Sequence, residues 1–167
     1  KYETIINDAL RSALEYDTPE GQINEFISFF GKHIGSDRIY IFEDDEEHHV
    51  TNNTYEWCTE GITPQIEHLQ GVNMEVIDWW YDTFEEGKSV IISDVEELKG
   101  VHQVSYNMLK YQNVHKVVVS PLRHKGQIRG FFGVDNPPAV DYNALTMFLD
   151  MIGTMLIALL KIRNTFQ

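Results

Sequence analysis

The chain has 167 residues, enough for one domain with a sizeable hydrophobic core. Its formal net charge of −13 argues against binding nucleic acid through a basic face and against docking on an anionic membrane. A single cysteine, Cys58, excludes an internal disulfide, and no signal-peptide pattern is present, so we expect a cytoplasmic location.

The pattern at the N-terminal end predicts two helices. Apolar residues recur at helical spacing over 2–16, which we interpret as a linker helix within 1–17. Thr18 followed by Pro19 is a helix start signal, because the hydroxyl can cap free N–H groups and proline suits the first helical position. The second helix should end near 31–35.

Strands and short helices alternate in the middle of the chain. We expect strands over 38–42, 50–59 and 89–92, with a charged turn at 43–49 between the first two. A helix over 74–85 should hold Trp79 and Trp80 and end at Gly87. Ser93 and Glu96 have the spacing of a capping box, and 106–112 should be helical.

A β-hairpin is predicted over 113–138. Three consecutive valines form its first arm, and the turn lies at 124–126. Strict alternation in the second arm places Ile128 and Phe132 on one face and Phe131 and Asp135 on the other. Residues 136–138, Asn-Pro-Pro, end the strand, because proline has no N–H to donate to a ladder.

The last predicted helix runs from an N-cap at Asp141 to about 164. Its apolar stripe is broad, so it needs burial on more than one side, and we expect the sheet, the first helix and a second copy of the protein to cover it. Its longest uncharged apolar run, 151–160, is too short to cross a bilayer, so no membrane insertion is expected.

The hairpin sequence S-P-L-x-x-x-G-x-x-x-G-F-x-G-V-D-N-P resembles the last central strands of a GAF domain, and segments 55–62 and 87–96 agree. The likeness spans about 18–163 and is closest to GAF modules that precede diguanylate cyclase or related bacterial signalling domains. It implies an α+β fold related to PAS domains: an antiparallel six-stranded sheet of order 2-1-5-4-3-6, helices on both faces, and long terminal helices. We expect one domain over 1–167, with a core at 18–140 and a signalling helix at 141–167.

The resemblance also implies a ligand pocket between the sheet and the helices of 60–112. The predicted lining is mostly aromatic with a few polar tips: Trp57, Trp79, Trp80, His102, Tyr106, Tyr111 and Phe132. The alternative is that these aromatic side chains only fill the core, which is their commonest use.

Other chemistry has little support in the sequence. His48 and His49 are adjacent and would point to opposite faces of a strand, so no metal site is expected. Cys58 lacks the second cysteine needed for the redox cycle of a free methionine sulfoxide reductase, and it lacks the following histidine common in bilin-binding GAF domains. No catalytic constellation and no cofactor can be identified.

The sequence therefore predicts a non-enzymatic sensory module. An unidentified small molecule would bind it, and an attached output domain, expected to be a diguanylate cyclase, would respond through helix-mediated homodimerisation. The alternative is a GAF scaffold without a ligand that only brings output domains together. Polar groups converging on the pocket would favour the sensor, and a pocket filled by aromatic rings would favour the scaffold.

Overall fold

The computed structural model describes residues 2–138 and 141–166. Its elements follow the chain as α1 (Tyr2–Ala13), α2 (Pro19–Ile34), β1 (Arg38–Asp45), β2 (Val50–Cys58), β3 (Val72–Asn73), α3 (Asp78–Glu85), β4 (Val90–Ile92), α4 (Gln103–Tyr111), β5 (Val117–His124), β6 (Gln127–Asp135) and α5 (Tyr142–Phe166). Short 3-10 helices occupy Ile66–His68, Met74–Ile77 and Val95–Leu98.

The sheet is antiparallel, with strand order β3-β2-β1-β6-β5-β4. This confirms the predicted α+β fold class. The five strands located from the sequence lie side by side in the predicted order 2-1-5-4-3. The short β3 was not predicted, so each later strand has a number higher by one in the structure. β3 pairs with β2 at one edge of the sheet, whereas the predicted order had its additional strand at the other edge, beside the strand at 89–92.

Helices cover both faces of the sheet, as predicted. Alternation along β1 sends Ile39 and Ile41 to the face covered by α1, α2 and α5, and Tyr40 and Phe42 to the face covered by α3, α4 and the 3-10 helices. Each face has its own hydrophobic core. The sheet is therefore a shared wall between two packed layers.

Local details differ from the sequence predictions at the ends of helices. The predicted helix over 74–85 is a 3-10 turn followed by α3. The short helix after β4 is capped by Asp94, whose carboxylate accepts from the N–H of Glu96 at 3.0 Å, and not by the predicted Ser93–Glu96 box. Asp141 does cap α5, since its carboxylate accepts from the N–H groups of Asn143 and Ala144 at 3.0 and 3.2 Å.

The predicted strict alternation of β6 is wrong, because the central hairpin contains a β-bulge. The register slips between Leu122 and Arg123, which pair with Gly130 and Ile128 respectively. Ile128 therefore packs in the same core as Phe131, not in that of Phe132. Gly130 has φ of 152°, and a Cβ there would overlap the carbonyl oxygen of Phe42 on β1.

Helix α5 packs its leucine-rich stripe against the sheet and leaves Met147, Met151 and Ile162 exposed. By length and composition alone, Tyr142–Thr165 is long and apolar enough to cross a membrane, although the uncharged run over 151–160 is not. The core helix of a soluble protein passes the same test, so this is weak evidence for a span. The absence of membrane insertion and the dimer surface on α5 stay predictions.

We expect Gly130→Ala to destabilise the protein more than Gly126→Ala. Both glycines have positive φ, but only at Gly130 would a Cβ meet backbone atoms; Gly126 has open space around it. The turn variant should lose about 1 kcal/mol of unfolding free energy through backbone strain, and the bulge variant about 3 kcal/mol or more through strain and overlap. Urea unfolding of both variants measures this, and equal losses would contradict the close approach of β6 to β1.

Candidate functional site

A small cavity lies between the sheet and a layer of helices and loops that packs on it. We call this layer the cover and define it as residues 66–112 without the two sheet strands β3 and β4. Its volume is about 30 Å³, room for roughly two or three water molecules. Apolar side chains form most of its wall, from both the sheet and the cover: Tyr40, Phe42, Phe131, Ile77, Trp80 and Leu109. Polar side chains from the sheet complete it: Arg38, Asn53, Glu56 and Asp135.

A buried ion cluster forms the polar rim of this cavity. Arg38 begins β1 and lies opposite Asp135 at the end of β6, because the two strands are antiparallel. The Nη1 of Arg38 donates to Oδ2 of Asp135 at 2.6 Å, and its Nε lies 3.4 Å from Oε2 of Glu56 on β2. The three side chains are 2–4% exposed. Arg38 thus has both carboxylates as counter-ions in a site without bulk water.

Backbone groups of the segment after β2 complete the cluster. The Nη2 of Arg38 donates to the carbonyl oxygen of Thr63 at 2.9 Å. The carboxylate of Glu56 accepts from the N–H groups of Gln65 and Ile66 at 3.0 and 3.3 Å. The cluster therefore fixes the start of the cover to the ends of the central strands.

The cluster perturbs the ionisation of its members. Burial raises the pKa of Asp135 to about 6, although the Arg38 guanidinium opposes the shift. Burial and the Asp135 carboxylate raise the pKa of Tyr40 well above its usual value. The cluster therefore combines one guanidinium with two carboxyl groups.

Several buried polar atoms around the cavity have no hydrogen-bond partner within the protein. Over residues 2–138 and 141–166, five buried side-chain atoms are in this state. Four of them belong to residues that line the cavity: Nε of Arg38, Oδ1 of Asn53, Nε1 of Trp80 and Oδ1 of Asp135. An unmade hydrogen bond of this kind costs roughly 1–3 kcal/mol per group, so their concentration at one cavity singles it out.

The structure brings only one of the seven predicted lining residues to the cavity, which is Trp80. Trp79 lies outside it, stacked on His102 with ring centroids 4.1 Å apart, and its Nε1 donates to Oγ of Ser105. Tyr106 lies on the cover, where its hydroxyl donates to Glu96, and Tyr111 is 83% exposed. Neighbouring residues on a helix point in different directions, which separates Trp79 from Trp80.

Trp57 and Phe132 lie on the opposite face of the sheet from the cavity. Trp57 packs over Gly31 of α2, and Phe132 is buried in the core beneath α5. Alternation along β6 places the adjacent Phe131, not Phe132, at the cavity. Sequence periodicity divides a strand into two faces, but it does not say which layer covers each face.

Sequence reasoning missed the polar rim. Arg38 and Asp135 are 97 positions apart, and only the pairing of β1 with β6 makes them neighbours. A charged residue at the start of an apolar strand, together with an aspartate at the end of another, was the available signal. Asn53 was missed because a bulge in β2, opposite Ile41 and Phe42, turns its side chain toward the cavity face of the sheet. There its amide nitrogen donates to the carbonyl oxygens of Ile41 and Tyr55.

The comparisons with known proteins identify the fold. No family model matches the chain, and no curated protein matches it. Solved structures do match. The far-red absorbing dark state of JSC1_58120g3 with bound biliverdin IXa has a TM-score of 0.76 at 13% identity, over 96% of this chain and 99% of that one.

Two further matches are named as GAF domains. The phycoerythrobilin-bound GAF domain from a cyanobacterial phytochrome has a TM-score of 0.72 at 16% identity, over 99% of this chain and 97% of that one. The GAF domain from Acinetobacter phosphoenolpyruvate-protein phosphotransferase has a TM-score of 0.68 at 11% identity, over 95% and 91%. The chain therefore has the GAF fold, which by itself does not define a ligand.

Two of these structures hold a bilin, so we compared the size of the cavity with the space that such a ligand needs. Pockets for drug-sized ligands measure roughly 300–1,000 Å³, and the cavity here measures about 30 Å³. Cys58, the only thiol in the sequence, is followed by Thr59, and burial raises the pKa of this thiol. The cavity residues do not fit a bilin.

We expect Asp135→Asn to weaken the pH dependence of stability. The carboxyl has a pKa of about 6 when folded and about 3.9 in an unfolded chain. The unfolded state therefore binds fewer protons between these values, so stability falls as the pH rises through that window. From pH 5.5 to 7.5 the native chain should lose roughly 1 kcal/mol more unfolding free energy than the variant.

Urea unfolding at the two pH values provides the measurement. Arg38, Tyr40, Glu56 and Asp37 surround the carboxyl and stay unchanged in the variant. An identical pH dependence in both proteins would show that Asp135 ionises as an ordinary carboxyl.

Proposed function

We propose that this chain is a sensory module that binds a small molecule in the cavity under the α3–α4 cover and regulates an attached output domain. One observation carries the proposal: four of the buried, unpartnered polar atoms belong to residues that line that cavity. A ligand that bonds to these atoms would recover free energy that the unliganded fold forgoes. The GAF fold is consistent with this role, because GAF neighbours hold small molecules.

A signal from the cavity has a direct physical route to the last helix. Near the end of α5, the guanidinium of Arg163 makes two hydrogen bonds to the carboxylate of Glu43, at 2.7 and 2.9 Å, and one to the hydroxyl of Tyr55 at 3.3 Å. Glu43 follows the cavity residue Phe42 on β1. Tyr55 lies between Asn53 and Glu56 on β2. We call this contact the Arg163 latch.

The Arg163 latch is a bidentate ion pair that is largely shielded from solvent. Its two ion-pair side chains are 14% and 22% exposed, and the hydrogen bonds to Glu43 raise the pKa of Arg163. Bidentate arginine–carboxylate pairs are directional, so a shift of β1 would be transmitted to the end of α5. Regulation requires that the ligand prefer one of two arrangements of these strands.

The remaining parts of the proposal concern partners. The exposed stripe of Met147, Met151 and Ile162 on α5 supports a homodimer, since it leaves large apolar side chains in solvent. The output domain would be a diguanylate cyclase or a related bacterial signalling domain, and the protein would be cytoplasmic. We propose a non-enzymatic module. Cys58 in particular is a poor candidate nucleophile, because burial raises the pKa of its thiol and so disfavours the thiolate.

A ligand-free scaffold is the second candidate function. The small size of the cavity favours it, because stacked Phe42 and Phe131, 4.7 Å apart, and edge-on Trp80 fill most of the space under the cover. In that case the fold would only hold two output domains together.

Native mass spectrometry of the purified protein separates the two functions. A sensor should carry a co-purified small molecule or bind one from the small-molecule extract of its expression host. Leu109→Phe should abolish that binding, because Leu109 lines the cavity and the larger ring would fill it. Val104→Phe is the matched control, since Val104 lies on the same helix and is 59% exposed.

Circular dichroism confirms that both variants fold before they are compared. A dimer with the mass of two bare chains, unchanged by the extract, would contradict the sensor and favour the scaffold. Binding that survives in Leu109→Phe would place the ligand somewhere other than this cavity.

A further inference from the structure

We infer that the cavity selects a nitrogen-bearing aromatic ligand that is neutral or positively charged, of the amide or amidine type, and rejects carboxylates and phosphates. This inference rests on the proposed sensor function and adds the chemical class of its ligand. Three features of the described residues carry it: the charge balance of the rim, the chemistry of the unpartnered atoms, and the aromatic wall.

The charge balance excludes an anionic ligand. Arg38 is the only cation among the residues that line the cavity, and Glu56 and Asp135 already neutralise it. Its Nη1 and Nη2 are occupied by Asp135 and the carbonyl of Thr63. An anion would have to break these bonds or be buried beside two carboxylates, and an unpaired buried charge is strongly unfavourable.

The unpartnered atoms specify what the ligand presents. Oδ1 of Asp135 and Oδ1 of Asn53 are acceptors, so they need N–H or O–H donors. Nε1 of Trp80 and Nε of Arg38 are donors and need acceptors. A primary amide carries N–H donors and a carbonyl acceptor on one carbon, so it can serve both kinds of unpartnered atom. An amidinium supplies the donors and places a positive charge beside the two carboxyl groups, but it leaves Nε1 of Trp80 without an acceptor.

The rest of the wall requires an apolar, flat body. Apolar residues dominate the lining, and the rings of Trp80 and Phe131 meet edge to face, with centroids 5.5 Å apart. The aromatic ring of a ligand can pack against these two rings in an edge-to-face or offset-stacked geometry, which aromatic pairs favour. The volume of about 30 Å³ means that the cover moves outward when the ligand enters. Ligand binding is then coupled to displacement of the cover.

Trp80 provides a spectroscopic reporter for the test. We would titrate ¹⁵N-labelled protein with benzamide, benzamidinium and benzoate, which have the same shape and differ in charge and hydrogen-bonding groups. The indole N–H signal of Trp80 should shift saturably with benzamide and benzamidinium. Benzoate should bind at least about tenfold more weakly, because its carboxylate meets Asp135 and Glu56.

Trp57 is the internal control. It lies on the opposite face of the sheet from the cavity, so its signal should move far less than that of Trp80. The conservative variants Trp57→Phe and Trp79→Phe assign the three signals without altering the cavity. In Asp135→Asn the preference of benzamidinium over benzoate should shrink.

Each other result overturns the inference. Tightest binding by benzoate would show that the site takes anions, and it would leave the sensor function intact. No saturable shift with any of the three probes would mean that water alone satisfies the unpartnered atoms. An anionic co-purified molecule in the native mass spectra would reject the ligand class while confirming that a ligand is bound.

Discussion

A buried ion cluster of Arg38, Asp135 and Glu56 links the three central strands to the segment that follows β2. Removing these charges from water costs several kcal/mol per ion, and a hydrophobic replacement of equal volume is often as stable. Stability alone therefore does not explain the cluster. It joins β1 to β6, holds the backbone at Thr63, Gln65 and Ile66, and sets the polar rim of the cavity. The same three side chains fix the fold and the character of the site.

The sheet separates two hydrophobic cores, one on each face. Phe131 and Phe132 are adjacent in sequence, yet one packs under the cover and the other packs under α5. The cover and α5 therefore pack on opposite faces of the same strands. The Arg163 latch adds a polar contact at the end of that helix, where Glu43 and Tyr55 hold it. The close packing of both layers makes a discrete shift more natural than a gradual one.

The sequence predicted much of the architecture. Alternation and turn residues located five of the six strands, and the order that the GAF resemblance implied for these five agrees with the structure. β3 escaped notice because it is two residues long, too short for a period-2 pattern. The Ser93 capping box was wrong because Asp94, one position later, competes for the same role. These are local choices that a pattern of residue types cannot resolve.

The candidate site was less accessible to sequence reasoning, for two physical reasons. Bulges in β2 and β6 reverse which face the side chains point to beyond the bulge. Simple alternation therefore assigned Ile128 to the wrong face and gave no reason to place Asn53 at the cavity. The polar rim depends on strand pairing over a long separation, which no local motif encodes. Aromatic residues were visible in the sequence, but only tertiary packing distinguishes Trp80 in the cavity from Trp79 on the surface.

A high-resolution crystal structure of the protein as purified would show whether the cavity under the cover is a binding site or a packing defect. We predict density for an organic molecule that contacts Asn53, Trp80 and Asp135, with the cover displaced outward from its position here. A cover in the present position, above a cavity in which water molecules alone satisfy those three side chains, would contradict the account.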